Sequence, residues 1–553
     1  MKSFLLNEKK KLHFWIQALV VANGLSIIVG FIYILTNVSH GLWNIFGIFL
    51  FLTLISNVII TIVDYPSRSL DYLYLCVTIL TVPIVPIMNK YVSEQVTHAS
   101  SRSVISLILI FLLFILGGVL ASNKLYHLKN HHFYSKPYLN KNKTSGPNKI
   151  IKRSLVFLLS TILALGIYVS YELLIGRGAN FVEVAVPQLS LFFSIIFLTV
   201  AVFLLKITNL RLYPRRFILL LGITLATIFT LPVIMTPFTI SETNLNYIQA
   251  FRSDPKQIVP TAEEMHFMQT PFSLPDYFYG TKSGNYRVKE NILYYEGTEG
   301  VDKGIKLHFD VYRPPANEKG LPGHHSVLIR IHGGGWTSGD KGSLNNAQLN
   351  KHFASQGYVV FDVQHGLSDG ERVFKFLKVP ENIVGNFSTD DMVRHIGIFT
   401  DYLADHYKEY GANLDSVFVS GNSSGGHLAN AVGLANTRYD YLNPKLKIKG
   451  VIPVYPANGL ASIVGIDGSD DIMDPSLLVA KDSPPVLICQ GTHDGIVDQT
   501  IAIQMDKTYK KIGNEKSALI LLPYAGHASN SYYSGNFNQL FIYYMERFMY
   551  QFK

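Results

Sequence analysis

The stretch SVFVSGNSSGGHLAN, residues 416–430, joins two kinds of structure within a few residues. Its apolar start is typical of a buried strand, and its end fits a helix. Between them Gly421, Ser423 and Gly425 form the pattern Gly-x-Ser-x-Gly, which exposes a nucleophilic serine where a strand turns sharply into a helix. The pattern predicts Ser423 as a nucleophile and the backbone N–H of Ser424 as an oxyanion donor. A glycine- and serine-rich loop without chemistry is the alternative.

A second glycine-rich stretch lies earlier in the chain. The residues HGGGW, 332–336, directly follow the apolar run SVLIRI. Backbone N–H groups without side chains around them can bind the negative oxygen of a tetrahedral intermediate. We therefore expect the amides of Gly334 and Gly335 to complete an oxyanion hole. A flexible turn is the alternative, but the position at a strand end, before Ser423 in the chain, argues against it.

A nucleophilic serine of this kind needs an acid and a base later in the chain, in the order Ser, Asp, His. The loop THDGIVD, 492–498, follows the apolar run PPVLICQG, and AGH, 525–527, follows ALILLPY. Both loops leave the carboxyl ends of predicted parallel strands, where sites of open α/β sheets lie. We expect His527 to take the proton of Ser423 and Asp494 to orient and stabilise the imidazole.

Three other residues compete for these roles. Asp498 is an alternative acid, although it precedes the pattern DQTIAIQMDKTYKKI and is better placed to cap that helix. His493 adjoins the acid, and we expect it to be an ordinary loop histidine. His427 lies in the helix after the nucleophile, where we expect it to pack or hydrogen-bond locally.

Residues 286–553 alternate short apolar runs with helical patterns. This alternation predicts an α/β domain with a mostly parallel sheet and helices on both faces. Helices are expected at 389–410 and 424–436. The predicted strands are 291–297, 305–314, 326–335, 358–364, 416–421, 450–456, 485–491 and 518–524.

Four motifs of this region together resemble the α/β-hydrolase superfamily, in the bacterial carboxylesterase branch similar to hormone-sensitive lipase and kynurenine formamidase. They are HGGGWTSGDK at 332–341, GNSSGGHLAN at 421–430, PPVLICQGTHDGIVD at 484–498 and AGH at 525–527. The resemblance implies ester or amide hydrolysis without a cofactor or metal. It assigns the catalytic triad to Ser423, Asp494 and His527, and oxyanion donors to Gly334 and Gly335.

One departure from the family pattern lies beside the nucleophile. Asn422 and Ser424 stand where an acidic residue and an alanine are commoner. The mechanism survives this change, because the backbone at 424 supplies the donor.

The first 240 residues consist largely of long apolar runs. These runs lower the charged fraction of the whole chain to 16% and raise its mean hydropathy to +0.22. Apolar runs of this length predict an all-α transmembrane bundle. The first run is too long for a signal peptide and is expected to remain as a helix. The seven predicted spans are 12–36, 42–63, 70–88, 104–121, 154–175, 185–205 and 217–238.

The distribution of Lys and Arg predicts the orientation of these spans. With a cytoplasmic N-terminus, 17 Lys and Arg fall on the inside segments and 3 on the outside loops. Seven crossings then place the hydrolase-like domain outside the cell. This bias accounts for most of the +9 net charge, so nucleic acid is dropped as a partner. One span more or fewer would place the domain inside.

Few polar residues interrupt the spans. Glu172 is expected near the outer end of the fifth span, reaching the interface, although a buried carboxylate there could also be functional. Pro83 and Pro86 are expected to kink the third. Cys76 and Cys489 lie in regions of different character and imply no disulfide.

The chain is thus divided into a transmembrane domain at 1–240, an irregular juxtamembrane linker at 241–285 and a catalytic domain at 286–553. Within the last, the segment 364–389 is a candidate cap over the site, with Phe374, Phe376 and Leu377 as apolar members. Ordinary packing of these side chains is the alternative.

The predicted function is a membrane-anchored serine hydrolase, most simply a carboxylesterase or deacylase. Its expected partners are membrane lipid and an ester or acylated substrate at the cell surface. An acyltransferase and a peptidase similar to prolyl oligopeptidases are alternatives, although the triple glycine argues against the peptidase. A non-catalytic sensor or scaffold is a more distant alternative, because all three residues of the predicted triad are present. The sequence gives no indication of oligomeric state.

Overall fold

A computed structural model of the 553-residue chain describes ten stretches of it. Arg177 and most of the basic loop that follows the fourth span, on which the predicted orientation partly depends, lie outside them. So does residue 436, at the end of one predicted helix. The described residues are 2–36, 41–63, 68–98, 100–130, 149–176, 178–208, 210–318, 320–342, 346–435 and 441–553.

Among these residues, seven helical stretches are long and apolar enough to cross a membrane. Each contains or closely overlaps one predicted span. The last is longer than predicted, because three consecutive helices make one stretch of 40 residues, Leu212–Phe251. The helices of this half are α1 (Lys2–Thr36), α2 (Trp43–Ile60), α3 (Arg68–Glu94), α4 (Val104–Asn130), α5 (Lys149–Ile175), α6 (Phe181–Ala185), α7 (Ser190–Ile207), α8 (Leu212–Ile228), α9 (Leu231–Ile234) and α10 (Thr236–Phe251).

A buried ionic cluster holds the start of α3 to the ends of two other helices. The two carboxylate oxygens of Asp71 lie 2.8 Å from Nζ of Lys124 and 2.8 Å from Nζ of Lys206. All three side chains are at most 4% exposed. Lys124 also donates to the backbone carbonyl of Val63, and Lys206 to that of Thr61, both just after the end of α2. The cluster therefore joins four of the apolar helical stretches.

The prolines of the third span and the glutamate of the fifth also interrupt the apolar stretches. Helix α3 continues through Pro83 and Pro86 to Glu94. Glu172 is half-buried near the end of α5, where its Oε2 accepts a hydrogen bond from Asn180 at 3.3 Å. Its partner therefore lies in the segment that follows the fifth span.

The expected irregular linker differs from the structure at its beginning. Residues 241–251 belong to helix α10, which continues the last apolar stretch and packs on the C-terminal domain. Tyr247, for example, donates from its hydroxyl to Gln551 at 3.0 Å. Further along, the short helix α11 (Leu274–Tyr279) is buried, and Tyr277 donates to the carbonyl of Gln188. The apolar face of α10 and these aromatic residues find partners on both halves, and the polar composition did not indicate that residues 241–251 are helical.

The C-terminal half is built on an eight-stranded sheet. All eight predicted strands are present. The strands are β1 (Arg287–Glu296), β2 (Lys306–Arg313), β3 (Ser326–Ile331), β4 (Val359–Val363), β7 (Asn413–Asn422), β8 (Ile448–Val454), β9 (Val486–Gly491) and β10 (Ser517–Leu522), with a separate short pair β5 (Leu367–Ser368) and β6 (Val384–Gly385). The strand order of the sheet is β1-β2-β4-β3-β7-β8-β9-β10, with β1 and β2 antiparallel to their neighbours and the rest parallel.

Helices cover both faces of the sheet. One face packs against α13 (Thr389–Tyr410), α14 (Ser424–Ala435) and α16 (Gln499–Lys511). The other packs against α10, α12 (Asn346–Ser355) and α17 (Asn536–Phe552), and a short α15 (Asp470–Met473) completes the set. The central strands are buried throughout, which explains their continuous apolar runs. Helix α10 thus places one end of the membrane-type helices in the core of the sheet domain.

Candidate active site

Ser423 is the single residue between strand β7 and helix α14, and its φ is +57°. Such a backbone is strained for a residue with a side chain. The neighbouring glycines are needed for space: a β-carbon at Gly421 would lie 2.1 Å from the carbonyl oxygen of Gly425. One at Gly425 would lie 2.3 Å from the carbonyl oxygen of Ile331. The Gly-x-Ser-x-Gly pattern therefore folds as the sharp turn that it predicted.

The structure brings the predicted acid and base to this serine. Nε2 of His527 lies 3.0 Å from Oγ of Ser423, and Nδ1 of His527 lies 2.9 Å from Oδ2 of Asp494. A carboxylate only accepts, so Nδ1 carries the proton and Nε2 is free to accept the hydroxyl of Ser423. All three residues are buried. The three residues follow one another in the chain as Ser, Asp and His, and in space His527 lies between Ser423 and Asp494, as predicted.

Asp494 is held by more than the histidine. Its Oδ1 accepts from the backbone N–H groups of Ile496 and Val497, at 3.0 and 2.8 Å. Its Oδ2 also accepts from Nε2 of Gln490, at 3.2 Å. Four donors thus surround this carboxylate. Asp494 is therefore held against Nδ1 of His527, which it keeps in one tautomer.

The triple glycine lies directly against this turn. A β-carbon at Gly333 would lie 2.3 Å from the carbonyl oxygen of Asn422. Gly334 and Gly335 have φ values of +140° and +64°, which glycine adopts without strain. In the described part of the chain, the backbone N–H groups of Gly334, Gly335 and Ser424 donate no hydrogen bond. These amides are therefore available to a ligand beside Ser423.

The alternative acid has another role. Asp498 is the N-cap of helix α16, and its Oδ1 accepts from the backbone N–H of Thr500 at 2.8 Å. His493 points away from the serine: Nε2 donates to the carbonyl of Leu174 in α5, at 3.2 Å, and Nδ1 lies 2.8 Å from Oγ1 of Thr492. Neither residue replaces a member of the triad in this geometry.

His427 is buried in α14 and hydrogen-bonded at both ring nitrogens. Trp336 donates from its indole Nε1 to Nδ1, at 3.1 Å. Nε2 lies 2.8 Å from the carbonyl oxygen of Ile472, to which it donates. Burial lowers the pKa of His427 from 6.5 to about 4. The ring is therefore neutral and joins the glycine loop to the helix after the nucleophile.

The predicted cap segment contacts the site at two points. A β-carbon at Gly335 would meet the side chain of Val373 at 2.7 Å. The ring of Phe374 lies nearly parallel to that of His527, with centroids 6.2 Å apart. Phe376, by contrast, is 72% exposed. The segment that begins after β4 therefore lies against Gly335 and His527.

Sequence reasoning missed two residues at the site. The ring of Tyr455, at the end of β8, lies 4.6 Å from that of His527. Glu183, in α6, accepts hydrogen bonds from the backbone of Gly495 and of His527. A carboxylate within an otherwise apolar stretch was the available signal for Glu183. No local pattern could reveal its partners, because they lie 312 and 344 residues later.

The described residues contain no cluster of side chains that could ligate a metal ion. No group of three or more His, Cys, Asp or Glu side chains there is placed to hold an ion. The two cysteines are both free thiols, and Cys489 is buried in strand β9.

Comparison with known proteins gives a family match within the C-terminal half. Residues 309–471 match the family model described as BD-FAE. The probable carboxylic ester hydrolase LipM of Mycobacterium tuberculosis is 22% identical over 256 residues, which cover 41% of this chain and 54% of that protein. The chain therefore spans about half the length of this curated relative.

Two solved esterases show the extent of the structural likeness. Apo esterase 2 of Thermogutta terrifontis is 21% identical, with a TM-score of 0.36, covering 47% of this chain and 90% of that one. Esterase B of Lactobacillus rhamnosis is 18% identical, with a TM-score of 0.34, covering 54% and 89%. With the sheet order and the family match, the C-terminal half has the α/β-hydrolase fold that its motifs indicated.

Proposed function

We propose that this protein is a membrane-anchored serine hydrolase, a carboxylesterase or deacylase that works through an acyl-enzyme on Ser423. One observation carries the proposal: Asp494, His527 and Ser423 form a continuous chain of hydrogen bonds at the carboxyl ends of parallel strands. Free backbone N–H groups beside the serine support it. Similarity to a probable carboxylic ester hydrolase supports the choice of substrate class.

In the first step, Oγ of Ser423 attacks the carbonyl carbon of the ester while Nε2 of His527 takes the hydroxyl proton. Asp494 stabilises the imidazolium that forms. The carbonyl oxygen becomes an oxyanion, which accepts from the amides of Gly334, Gly335 and Ser424. Donors fixed in advance in this way are worth about 2.7–4 kcal/mol each in other serine hydrolases.

In the second step, the tetrahedral intermediate collapses. The bond to the leaving oxygen breaks, His527 gives its proton to the alcohol, and the acyl group stays on Ser423. Water then attacks the acyl carbon, again losing its proton to His527. The acid leaves and Ser423 regains its hydrogen, so no cofactor is needed.

The seven apolar stretches would anchor the enzyme in the cell membrane, with the N-terminus in the cytoplasm and the hydrolase domain outside. The excess of Lys and Arg on the predicted inside segments supports this orientation. Its substrate would then be an ester or an acylated molecule that reaches the cell surface, next to membrane lipid.

Labelling of intact cells with a membrane-impermeant fluorophosphonate tests the activity, the nucleophile and the location together. We expect the wild type to be labelled and Ser423→Ala to remain unlabelled. Labelling only after lysis would leave the hydrolase in place but put its domain in the cytoplasm. No labelling in either state would reject the hydrolase. Product analysis with an added alcohol then separates hydrolysis from acyl transfer.

A further inference from the structure

We infer that the membrane half supplies a positioning residue to the active site: Glu183 fixes the loop of the acid and the loop of the base relative to each other. This inference rests on the proposed serine hydrolase function. Glu183 lies in α6, the short helix at the start of the sixth apolar stretch, and is 5% exposed.

One carboxylate oxygen of Glu183 contacts both loops. Oε1 accepts from the backbone N–H of Gly495, at 2.7 Å, and from the backbone N–H of His527, at 3.1 Å. Gly495 directly follows the acid, Asp494, and the second donor belongs to the base itself. Hydrogen bonds to an ionised acceptor are stronger than those between neutral groups. A single atom therefore bridges the two loops.

Glu183 is itself held in place by its own segment. Its Oε2 accepts from the backbone N–H of Ala179, at 2.8 Å. Asn180 is the N-cap of α6, and its side chain accepts from the backbone N–H groups of Val182 and Glu183. On the other side, a β-carbon at Gly526 would lie 2.1 Å from Cγ of Glu183. The glycine before the base thus leaves room for this side chain.

A second contact extends the same junction. Gln188 donates from Nε2 to Oγ of Ser531, at 2.9 Å, and accepts at Oε1 from the backbone N–H of Tyr532, at 2.5 Å. Both partners follow the base in the chain. The segment from Ala179 to Gln188 therefore binds the acid loop, the base loop and the turn after it.

The physical argument concerns two loops that leave different strands. Asp494 follows β9 and His527 follows β10, and their 2.9 Å hydrogen bond depends on the separation of those loops. Without Glu183, the N–H groups of Gly495 and His527 would be buried without an acceptor and would drive the loops to rearrange. A misplacement of about 1 Å in catalytic groups can cost on the order of 100-fold in rate.

Glu183 contacts backbone groups and touches no reacting atom, so we expect its loss to lower kcat and leave KM nearly unchanged. The test uses the full-length protein in nanodiscs, with p-nitrophenyl butyrate as substrate and fluorophosphonate as a label of Ser423. We expect Glu183→Ala to lower kcat roughly 10- to 100-fold, with KM within about twofold. Glu183→Gln keeps the shape and one acceptor oxygen, so its kcat should lie between that of the wild type and that of Glu183→Ala.

Lys351→Met is the matched control. Nζ of Lys351, in α12, donates to the carbonyls of Ser93, Gln95 and His98, at 2.7–3.1 Å. It thus makes as many hydrogen bonds as the Glu183 carboxylate and joins the same two halves, away from the triad. We expect this variant to keep kcat within about twofold, although it loses stability.

Several outcomes would overturn the inference. A folded Glu183→Ala with the kcat and labelling rate of the wild type would do so. Equal losses of kcat in Glu183→Ala and Lys351→Met would also overturn it, because any contact between the two halves would then affect kcat to the same extent. If Glu183→Ala gives no monodisperse protein, Glu183→Gln decides, and an unchanged kcat there rejects the role. A wild type that fluorophosphonate does not label would instead reject the proposed function.

Discussion

Nε1 of Trp336 donates a hydrogen bond to Nδ1 of His427 at 3.1 Å, which ties the loop of the three glycines to the helix after Ser423. The other ring nitrogen of His427 donates to the carbonyl of Ile472. Both halves of the proposed oxyanion hole, the glycine loop and the start of α14, therefore meet at one buried imidazole. Their relative position depends on that ring being neutral.

Trp336→Phe removes this donor and leaves Nδ1 of His427 buried without a partner. We expect a loss of about 1–3 kcal/mol in the free energy of unfolding, together with a lower kcat. Thermal unfolding in detergent and ester hydrolysis by the same preparation measure the two effects. Unchanged stability would mean that Trp336 contributes through ring packing alone.

Acid should destabilise the hydrolase domain through its buried histidines. Burial lowers the pKa of His427 to about 4, so the folded state stays neutral while the unfolded state gains a proton below about pH 6.5. Its contribution is complete above pH 6.5 and is lost as the pH falls toward 4, a difference of roughly 3 kcal/mol. The pKa values of His332 and His365 are lowered in the same direction.

Unfolding temperatures measured from pH 4.5 to 7 test this linkage. His427→Gln keeps one acceptor and one donor, so we expect its stability to depend less steeply on pH than that of the wild type. The slope should not vanish, because the other buried histidines remain. A slope equal to that of the wild type would contradict the assignment.

The two aspartates of the THDGIVD loop should respond differently to the same change. Asp494→Asn keeps the shape but removes the charge that stabilises the imidazolium, so we expect kcat to fall about 10⁴-fold, as in other triads. Asp498→Asn replaces one N-cap residue by another good one and should leave kcat nearly unchanged. Comparable losses in both variants would reassign the acid.

Gly333→Ala should disturb the glycine loop by collision. Its β-carbon would lie 2.3 Å from the carbonyl oxygen of Asn422, a backbone atom that cannot move without shifting Ser423. We expect at least a tenfold loss of kcat, since oxyanion donors act through their placement. Gly370→Ala is the control: its nearest neighbour would be Oγ of Ser368, at 3.5 Å, an ordinary contact. Wild-type kinetics in both variants would show that the loop adapts.

In the membrane half, Asp71→Asn leaves Lys124 and Lys206 buried without their carboxylate. Removing one partner of a buried ion pair typically costs 3–5 kcal/mol, so we expect a lower unfolding temperature and a smaller monodisperse fraction on size-exclusion chromatography. Arg68→Gln, at the exposed start of the same helix, should leave both unchanged. Equal behaviour of the two variants would mean that water reaches the lysines.

Much of the architecture was readable from the sequence because each element carried its own local signal. The runs SVLIRI and SVFVSG are mostly apolar, as expected of buried strands. The predicted helix 389–410 follows a capping box at Ser388 and ends before Gly411, as the observed helix does. The three residues of the proposed triad could be predicted to lie together because each follows a strand in a motif of its own. Chain order and strand ends then sufficed to bring Ser423, Asp494 and His527 together.

The contacts between the halves could not be read in this way. Residues 241–251 of helix α10 were expected to belong to an irregular linker, because their polar side chains obscured the helical pattern. Glu183 stands out only as a carboxylate in an apolar stretch, and its hydrogen-bond partners in the C-terminal half lie more than 300 residues later. Long-range partners of single polar residues leave no periodic trace in a sequence.

The segment from Ala179 to Gln188 also sets an order of assembly. Its partners lie 312 to 344 residues further along the chain. At a translation rate of about 5–20 residues per second, they leave the ribosome on the order of 20–70 s after it. During that interval all seven apolar stretches have been made, but Glu183 has none of its acceptor contacts with the loops of β9 and β10. The junction of the two halves is therefore completed only after synthesis has passed Tyr532.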